Sequence, residues 1–383
     1  CHPVIVRRPL AIRYHHAPSP PAQIARRGSH AKRDSSSFDS LLTRAMGVLD
    51  SVGTLLAEIA NLIADSQRIL SLSDKRHWGQ DEREQERALD SVLDEARKDF
   101  QELGPLVNGR SQYEHDRRHD SMEELRAIRA KFQALTDKLK DWSRSGGPID
   151  PTWVRETYSL KRELHRAQCR AAMRVFTSAR EASQRCLGAF IVQRKQRAPT
   201  RDAKAGIKPD ENTYRRYFAD ELLACKNVGA FQRFGDQDIA FVCDFCDGHL
   251  VWEDIERMPT VRSSTQAVPP GSSDKPVSLL ANDSNWQALA LSNCGQHQKQ
   301  IIFAPVAIAN HIIPTHGDWE AKLLCPLCEA IGEQPQDEDD DEEPYRPDEE
   351  FDDVKSLQEH LEWQHGSSTL PTTTTADNNC CVM

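Results

Sequence analysis

Two Cys-x2-Cys pairs, Cys243/Cys246 and Cys325/Cys328, are each followed by a His-x4-His pair, His311/His316 and His360/His365. In each copy an apolar residue stands two positions before the first cysteine (Phe241, Leu323) and three before the first histidine (Ile308, Leu357), and a glycine follows the last histidine. Two cysteines separated by two residues can wrap a tight knuckle that turns both thiolates toward one ion, and histidines about one helical turn apart present two imidazoles on one side. A chain with two such sets must bring each quartet to a point, which restricts the fold of residues 241 to 365 more than any hydrophobic pattern does.

Four thiolate and imidazole donors in a tetrahedron suit Zn²⁺ and leave no open position for catalysis. On these residues the region resembles the C2H2 zinc-finger family, over about 125 residues in two tandem copies. The resemblance implies two structural zinc ions, one held by Cys243, Cys246, His311 and His316, the other by Cys325, Cys328, His360 and His365. It also implies a short hairpin and helix around each.

The departures from that pattern are informative. Family members place about a dozen residues between the second cysteine and the first histidine, whereas here 64 and 31 intervene, so each module carries an insertion. In the first insertion the stretch TVRSSTQAVPPGSSDKP reads as a loop, tolerable because closure entropy grows slowly with length. Pro314, between His311 and His316, would end or kink a helix that carried both. Cys294 and His297 form an alternative knuckle that can join Cys243 and Cys246 in place of His311 and His316. His249 reads as a turn residue.

The second insertion runs into twelve carboxylates and one arginine over residues 337 to 353, against seven Lys/Arg and no acid in residues 1 to 33. A helix starting near Val354 would carry that acidic run at the edge where DNA phosphates must approach, so sequence-specific DNA binding is disfavoured despite the resemblance. The acidic run itself reads as a solvated, disordered spacer.

Upstream, apolar residues recur at three-four spacing. The pattern predicts helices over 38–70 (Phe38 to Leu70), over 83–103 ending at Gly104-Pro105, and from Met122 to Trp142 ending at SGGP. A fourth, capped by Asp150 with Pro151 in its first turn, extends to Phe190, roughly 60 Å at 1.5 Å per residue. Short polar turns between long helices imply antiparallel neighbours in a bundle or coiled-coil-like array. His77, His115, His119 and His165 read as surface residues, and Cys169 and Cys186 as small buried hydrophobes. The basic stretch 193–209 reads as a linker, and a short helix carrying Tyr214, Tyr217, Phe218, Leu222 and Leu223 leads into the first cysteine pair.

Eleven cysteines in 383 residues, four of them in knuckle pairs, fit metal-bound thiolates in a reducing compartment better than a disulfide framework. The most apolar stretch, 41 to 70, is interrupted by Arg44, Asp50, Glu58, Asp65 and Arg68 and is not a membrane span. The Arg-rich start resembles a transit segment, but its prolines oppose an amphipathic helix, and it reads as a disordered tail. The terminal Cys380-Cys381-Val382-Met383 resembles a prenylation box, which implies a farnesyl group on Cys380. Without a polybasic partner signal one such chain gives weak, reversible membrane association.

The expected class is therefore mainly α: an N-terminal long-helix bundle followed by small tandem α+β zinc modules with disordered insertions. The divisions are a basic tail (1–34), the bundle (35–197), a linker (198–212), the two modules (213–320 and 321–367) and a flexible tail (368–383). The expected function is a non-enzymatic zinc-binding adaptor or regulatory protein, cytoplasmic, with protein partners on the bundle and weak membrane association through the lipid. The competing readings are a nuclear DNA-binding regulator and a ubiquitin-ligase-like zinc protein.

Overall fold

A computed structural model describes residues 50–107, 109–178, 185–203, 211–261, 286–295, 297–332 and 350–365. The basic tail, the first part of the first predicted helix, the Ser/Pro-rich and most of the acidic segment, and the tail with Cys380 lie outside the described residues.

Four long helices dominate the N-terminal half: α1 (Val52–Leu72), α2 (Gln80–Leu103) and, after the short α3 (Arg110–Glu114), α4 (His119–Ser145) and α5 (Thr152–Ser178). Local chemistry sets their starts. The Ser51 hydroxyl accepts the Thr54 amide while the Thr54 hydroxyl accepts the Ser51 amide, closing a capping box on α1. At α2 the buried Glu82 carboxylate accepts the Gly79 amide at 2.7 Å and the Ile149 amide at 2.8 Å, so one side chain caps a helix and pins the α4–α5 turn. Asp150 caps α5 as expected, accepting the Thr152 amide at 2.8 Å. Gly146 ends α4 with φ 71°, a left-handed position that suits glycine.

Cross-helix pairs fix the helix directions. Asp50–Arg126, Glu58–Arg129 and Ser66–Thr136 rise together along α1 and α4, and Gln85–Thr157 and Asp99–His165 rise together along α2 and α5, so each of these pairs is parallel. Lys138–Glu156 and Lys131–Glu163 run in opposite senses, so α4 and α5 are antiparallel. The bundle is thus two antiparallel hairpins side by side. Leu55, Ile59, Ile63, Leu89, Leu125, Leu135 and Leu139 fill its centre, and that core continues without a break into the C-terminal half.

The fourth predicted helix is divided. α5 stops at Ser178, Arg185 forms an isolated bridge with Ile312, and a new helix α6 runs from Leu187 to Ala203. Residues 193–203 of the basic stretch expected as a linker are therefore helical, and 204–209 lie outside the described residues. α6 packs on the next helix α7 (Glu211–Val228) rather than continuing the bundle. A three-stranded antiparallel sheet follows: β1 (Gly229–Phe234), β2 (Asp238–Cys243) and β3 (His249–Trp252). Gly229 is required there, since a Cβ would lie 2.3 Å from the Val242 carbonyl oxygen. The first insertion contains the hairpin β4 (Gln287–Leu291) and β5 (Gln298–Ile302), and then α8 (Ala304–Ala309), whose six residues are all buried. The last described elements are β6 (Leu323–Leu324), α9 (Pro326–Gly332), β7 (Glu350–Phe351) paired with β6, and α10 (Val354–Gln364).

The bundle meets the first knuckle through charge. Arg166 and Arg170, one turn apart on α5, both engage Asp247, and Arg166 also reaches Asp244 at 3.3 Å. His165, expected on the surface, is three-quarters buried on its side chain, with Nδ1 2.9 Å from the Asp99 carboxylate and Nε2 3.8 Å from Asp244. Burial opposes its protonation, but the hydrogen bond to Asp99 and the charges of Asp99 and Asp244 outweigh it, and the imidazole pKa is raised from the usual 6.5.

Leu135→Ala, at a fully buried position, is expected to lower bundle stability by about 2–5 kcal/mol, read as a shift in the urea midpoint. The raised pKa of His165 gives a stabilising increment that is complete below its unfolded value and lost as pH rises through the folded one. The difference in melting temperature between the natural chain and His165→Gln should accordingly be larger at pH 6 than at pH 8.5.

Candidate metal centres

The first quartet is assembled from three places in the chain: Cys186, Cys243 with Cys246, and His311, whose ligand atoms lie within 4.8 Å of one another. Cys243 is the last residue of β2. The turn beyond it is held by the Cys243 amide donating to Gly248 O and the Asp247 amide to Cys243 O, both 3.0 Å, with Asp247 at φ 56°. A Cβ on Gly248 would meet Ala321 at 2.8 Å and the Cys246 sulfur at 3.2 Å, so the knuckle needs a glycine there. Cys186 stands just before α6. Its carbonyl accepts the Phe190 amide at 2.9 Å, its own amide donates to His311 O at 3.2 Å, and its sulfur lies 3.8 Å from that of Cys243. Gly188 makes this approach feasible, because a Cβ would stand 3.0 Å from the Cys243 sulfur and 3.1 Å from the Phe245 ring.

His311 is fully buried, its Nδ1 donates to the Ile308 carbonyl at 2.7 Å, and its Nε2 faces the Cys246 sulfur at 3.5 Å. The backbone bond sets the tautomer and leaves the Nε2 lone pair for an ion. Burial pushes the Cys186 thiol well up, and hydrogen bonding to Cys186 and Cys243 with burial does the same to Cys246. Burial works the same way on Cys243, yet hydrogen bonds from both thiols and the His311 charge hold it well below the usual thiol value. Burial alone would lower His311, but the two facing sulfurs raise it well above an ordinary imidazole. Three thiols and one imidazole gathered in this way are a donor set that a thiophilic divalent ion can satisfy by displacing their protons.

The second quartet is Cys325, Cys328, His360 and His365, again with ligand atoms within 4.8 Å. Cys325 immediately precedes α9 and Cys328 lies within it, while the β6–β7 pair brings α10 back across the knuckle. His360 projects from α10 and His365 caps its end. His360 Nε2 lies 3.3 Å from the Cys328 sulfur, and His365 Nε2 lies 3.2 Å from Cys328 and 3.4 Å from Cys325. Burial pushes the Cys325 thiol up to about 12, and burial with the adjacent His360 lowers His365. All four residues expected at this position are brought together, two at the start of α9 and two toward the end of α10.

The first centre departs from the sequence reading. His316 is exposed and outside the cluster, and Cys186, expected as a packing residue, takes the fourth place. The physical reason is local: α8 ends at Ala309, and residues 311–312 pair with neighbouring chain instead of forming a helix. With Pro314 following, no helix exists to carry two histidines. The proline was the legible signal. Nothing in the spacing pointed to a cysteine 57 residues upstream of Cys243. Cys294 and His297 are both exposed and belong to neither cluster. His249 opens β3, with Nδ1 3.0 Å from Asp247 O, and is not in a donor set. A third group, Glu95, Asp99 and His165, is drawn together by ordinary polar contacts, with Lys161 3.4 Å from Glu95 and Gln168 3.4 Å from Asp99.

The two quartets share a backbone. Cys186 bonds to His311, the Ile312 amide donates to Lys322 O and the Leu324 amide to Asn310 O at 2.9 Å each, and His311 bridges Leu323 two residues before Cys325. Beside this ladder, Arg185 is nearly buried and makes a two-pronged pair with Glu329 at 2.7 and 2.8 Å, joining the neighbours of ligands Cys186 and Cys328.

No known protein-family model, curated protein or solved structure matches this chain.

Gly188→Ala should drive a methyl group into the Cys243 sulfur and lower metal retention at the first quartet while sparing the second. Metal content by mass spectrometry after dialysis against a mild chelator reads this directly: about half the metal of the natural chain is expected.

Proposed function

We propose that this chain is a non-enzymatic zinc-binding adaptor or regulatory protein in which two structural ions lock a C-terminal module onto a helical bundle. The observation that carries this reading is the composition of the two clusters, three thiols with one imidazole and two thiols with two imidazoles, each with its ligand atoms within 4.8 Å of one another. Four protein donors complete a tetrahedral zinc shell, so no coordination position remains for water or substrate. Zinc at each site would contribute folding free energy on the order of 10 kcal/mol, which suits short elements such as β6, β7 and α9 that bury little by themselves.

The second module supports the proposed C2H2 kinship through its strand, knuckle, strand and helix order. The first is a variant in which an upstream cysteine replaces the last histidine. DNA reading is not favoured: α10 is capped by Asp353, follows Glu350 and Asp352, and presents Glu359 and Glu362 to solvent. Protein partners, drawn to the bundle or to the module, are the better match. Among the described residues no helix is long and apolar enough to cross a membrane. A farnesyl group on Cys380 remains part of the proposal, tested by isotopic labelling with a farnesyl donor and its loss in Cys380→Ser.

Elemental analysis of the purified full chain is expected to give two zinc per chain. Cys186→Ser should reduce this to about one, and His316→Ala should leave it at two. Retention of both ions by Cys186→Ser with loss from His316→Ala would overturn the assignment of the first centre, and a zinc-free natural chain would overturn the functional reading as a whole.

A further inference from the structure

Between α10 and the β3 and β5 strands lies a cleft of about 560 Å³ that neither metal centre uses. Its floor includes Val251, Trp252 and Ile301. At one end stands Trp319, half exposed, 5.1 Å from the Phe234 ring and edge-on to His249 at 5.6 Å. These neighbours hold the indole in place with one side open, so the ring is a ready-made platform.

The rim is predominantly acidic. Asp238, Glu253, Glu320, Asp353, Glu359 and Glu362 line the cleft against two lysines, Lys299 and Lys355. Part of this charge is already engaged. Asp353 caps α10 through the Ser356 amide at 2.6 Å, and Asp238 accepts the Asp254 amide at 2.8 Å. Lys299 is drawn away to the Glu253 carbonyl at 2.8 Å and to Asp254 at 3.7 Å. No cation among the described residues pairs with Glu320 or Glu359. Burial and then the carboxylates of Asp353, Asp352 and Glu253 raise the Glu320 pKa, a sign that negative charge is crowded inside the cleft.

We propose that this cleft docks a short Lys/Arg-bearing peptide segment of a partner protein, its cationic side chains meeting Glu253, Glu320 and Glu359 and the open face of Trp319. Charge complementarity selects this occupant. Phosphate-bearing nucleic acid would be repelled, and a metal ion is poorly served because no metal-sized donor group among the described residues includes these carboxylates. A second copy is disfavoured by the chain's formal charge of −10. Guanidinium or ammonium over an indole adds cation–π attraction to the ionic contacts, and the cleft volume suits a few side chains rather than a whole helix. The inference deepens the adaptor reading and rests on it, because α10, one wall of the cleft, carries two ligands of the second centre.

The test is fluorescence anisotropy of the full chain, its zinc content measured in every sample, with a labelled hexapeptide of alternating arginine and alanine and a control in which citrulline replaces arginine. The arginine peptide should bind in the micromolar range and weaken with salt, and the citrulline peptide should not bind. Trp319→Ala should weaken binding about three- to tenfold, and Glu320→Gln with Glu359→Gln by about tenfold. Glu123→Gln with Asp141→Asn, exposed on the bundle, should leave it unchanged. Equal losses from the bundle and cleft variants would show diffuse attraction and overturn the proposal. So would binding only after the seven Lys/Arg of residues 1 to 33 are exchanged for glutamine, which would make that segment the occupant. A zinc-loaded chain that ignores the peptide refutes the cleft alone. A zinc-free chain that still binds it through Trp319 refutes the zinc reading alone.

Discussion

The short ladder formed by residues 185–186, 310–312 and 322–324 is the constraint on which the C-terminal half depends. It consists of a handful of backbone hydrogen bonds, yet it places Cys186, His311 and the approach to Cys325 from segments far apart in the chain. Each bond is worth only about 1 kcal/mol net. Its consequence is larger, because it decides which side chains meet. The Arg185–Glu329 pair, largely buried beside it, would be costly to break on one side only, since the remaining charge would be stranded. The two centres are therefore parts of one mechanical unit rather than beads on a string.

The same economy joins that unit to the bundle. Asp244 lies between the two knuckle cysteines and Asp247 directly after them, and both face the basic stripe on α5. The turn that aims two cysteines at a common point also aims two carboxylates at Arg166 and Arg170. Asp99 and His165 extend the contact inward to α2. Loss of order at the first knuckle would thus be felt in the bundle through three charged side chains on one helix face.

Much of the helical half was legible in the sequence. The three-four spacing of Leu55, Ile59 and Ile63, or of Leu125, Phe132, Leu135 and Leu139, reflects a periodicity that each helix needs for its own burial, and caps such as Asp150 act within a few residues. The second centre was legible for the same reason, since Cys325, Cys328, His360 and His365 sit on adjoining short elements. The first was legible only in part. Cys243, Cys246 and His311 are brought together as the resemblance implies, but His316 is not, and Pro314 shows why that part of the implied set fails. The basic residues of α6 read as a linker because charge composition indicates solvent exposure, and a helix with one buried face can satisfy that as well as a linker can.

The sequence by itself determined which groups are available and which elements form: the amphipathic helices, the knuckles and the two sets of soft donors. Only the tertiary structure decided that Cys186 completes the first set, that α6 belongs with the C-terminal module, and that an aromatic and acidic cleft opens beside α10. The physical reason is one of range. Helix periodicity and knuckle geometry are settled within a few residues, whereas ligand choice depends on which remote backbone segments pair, and that pairing leaves no spacing rule along the chain.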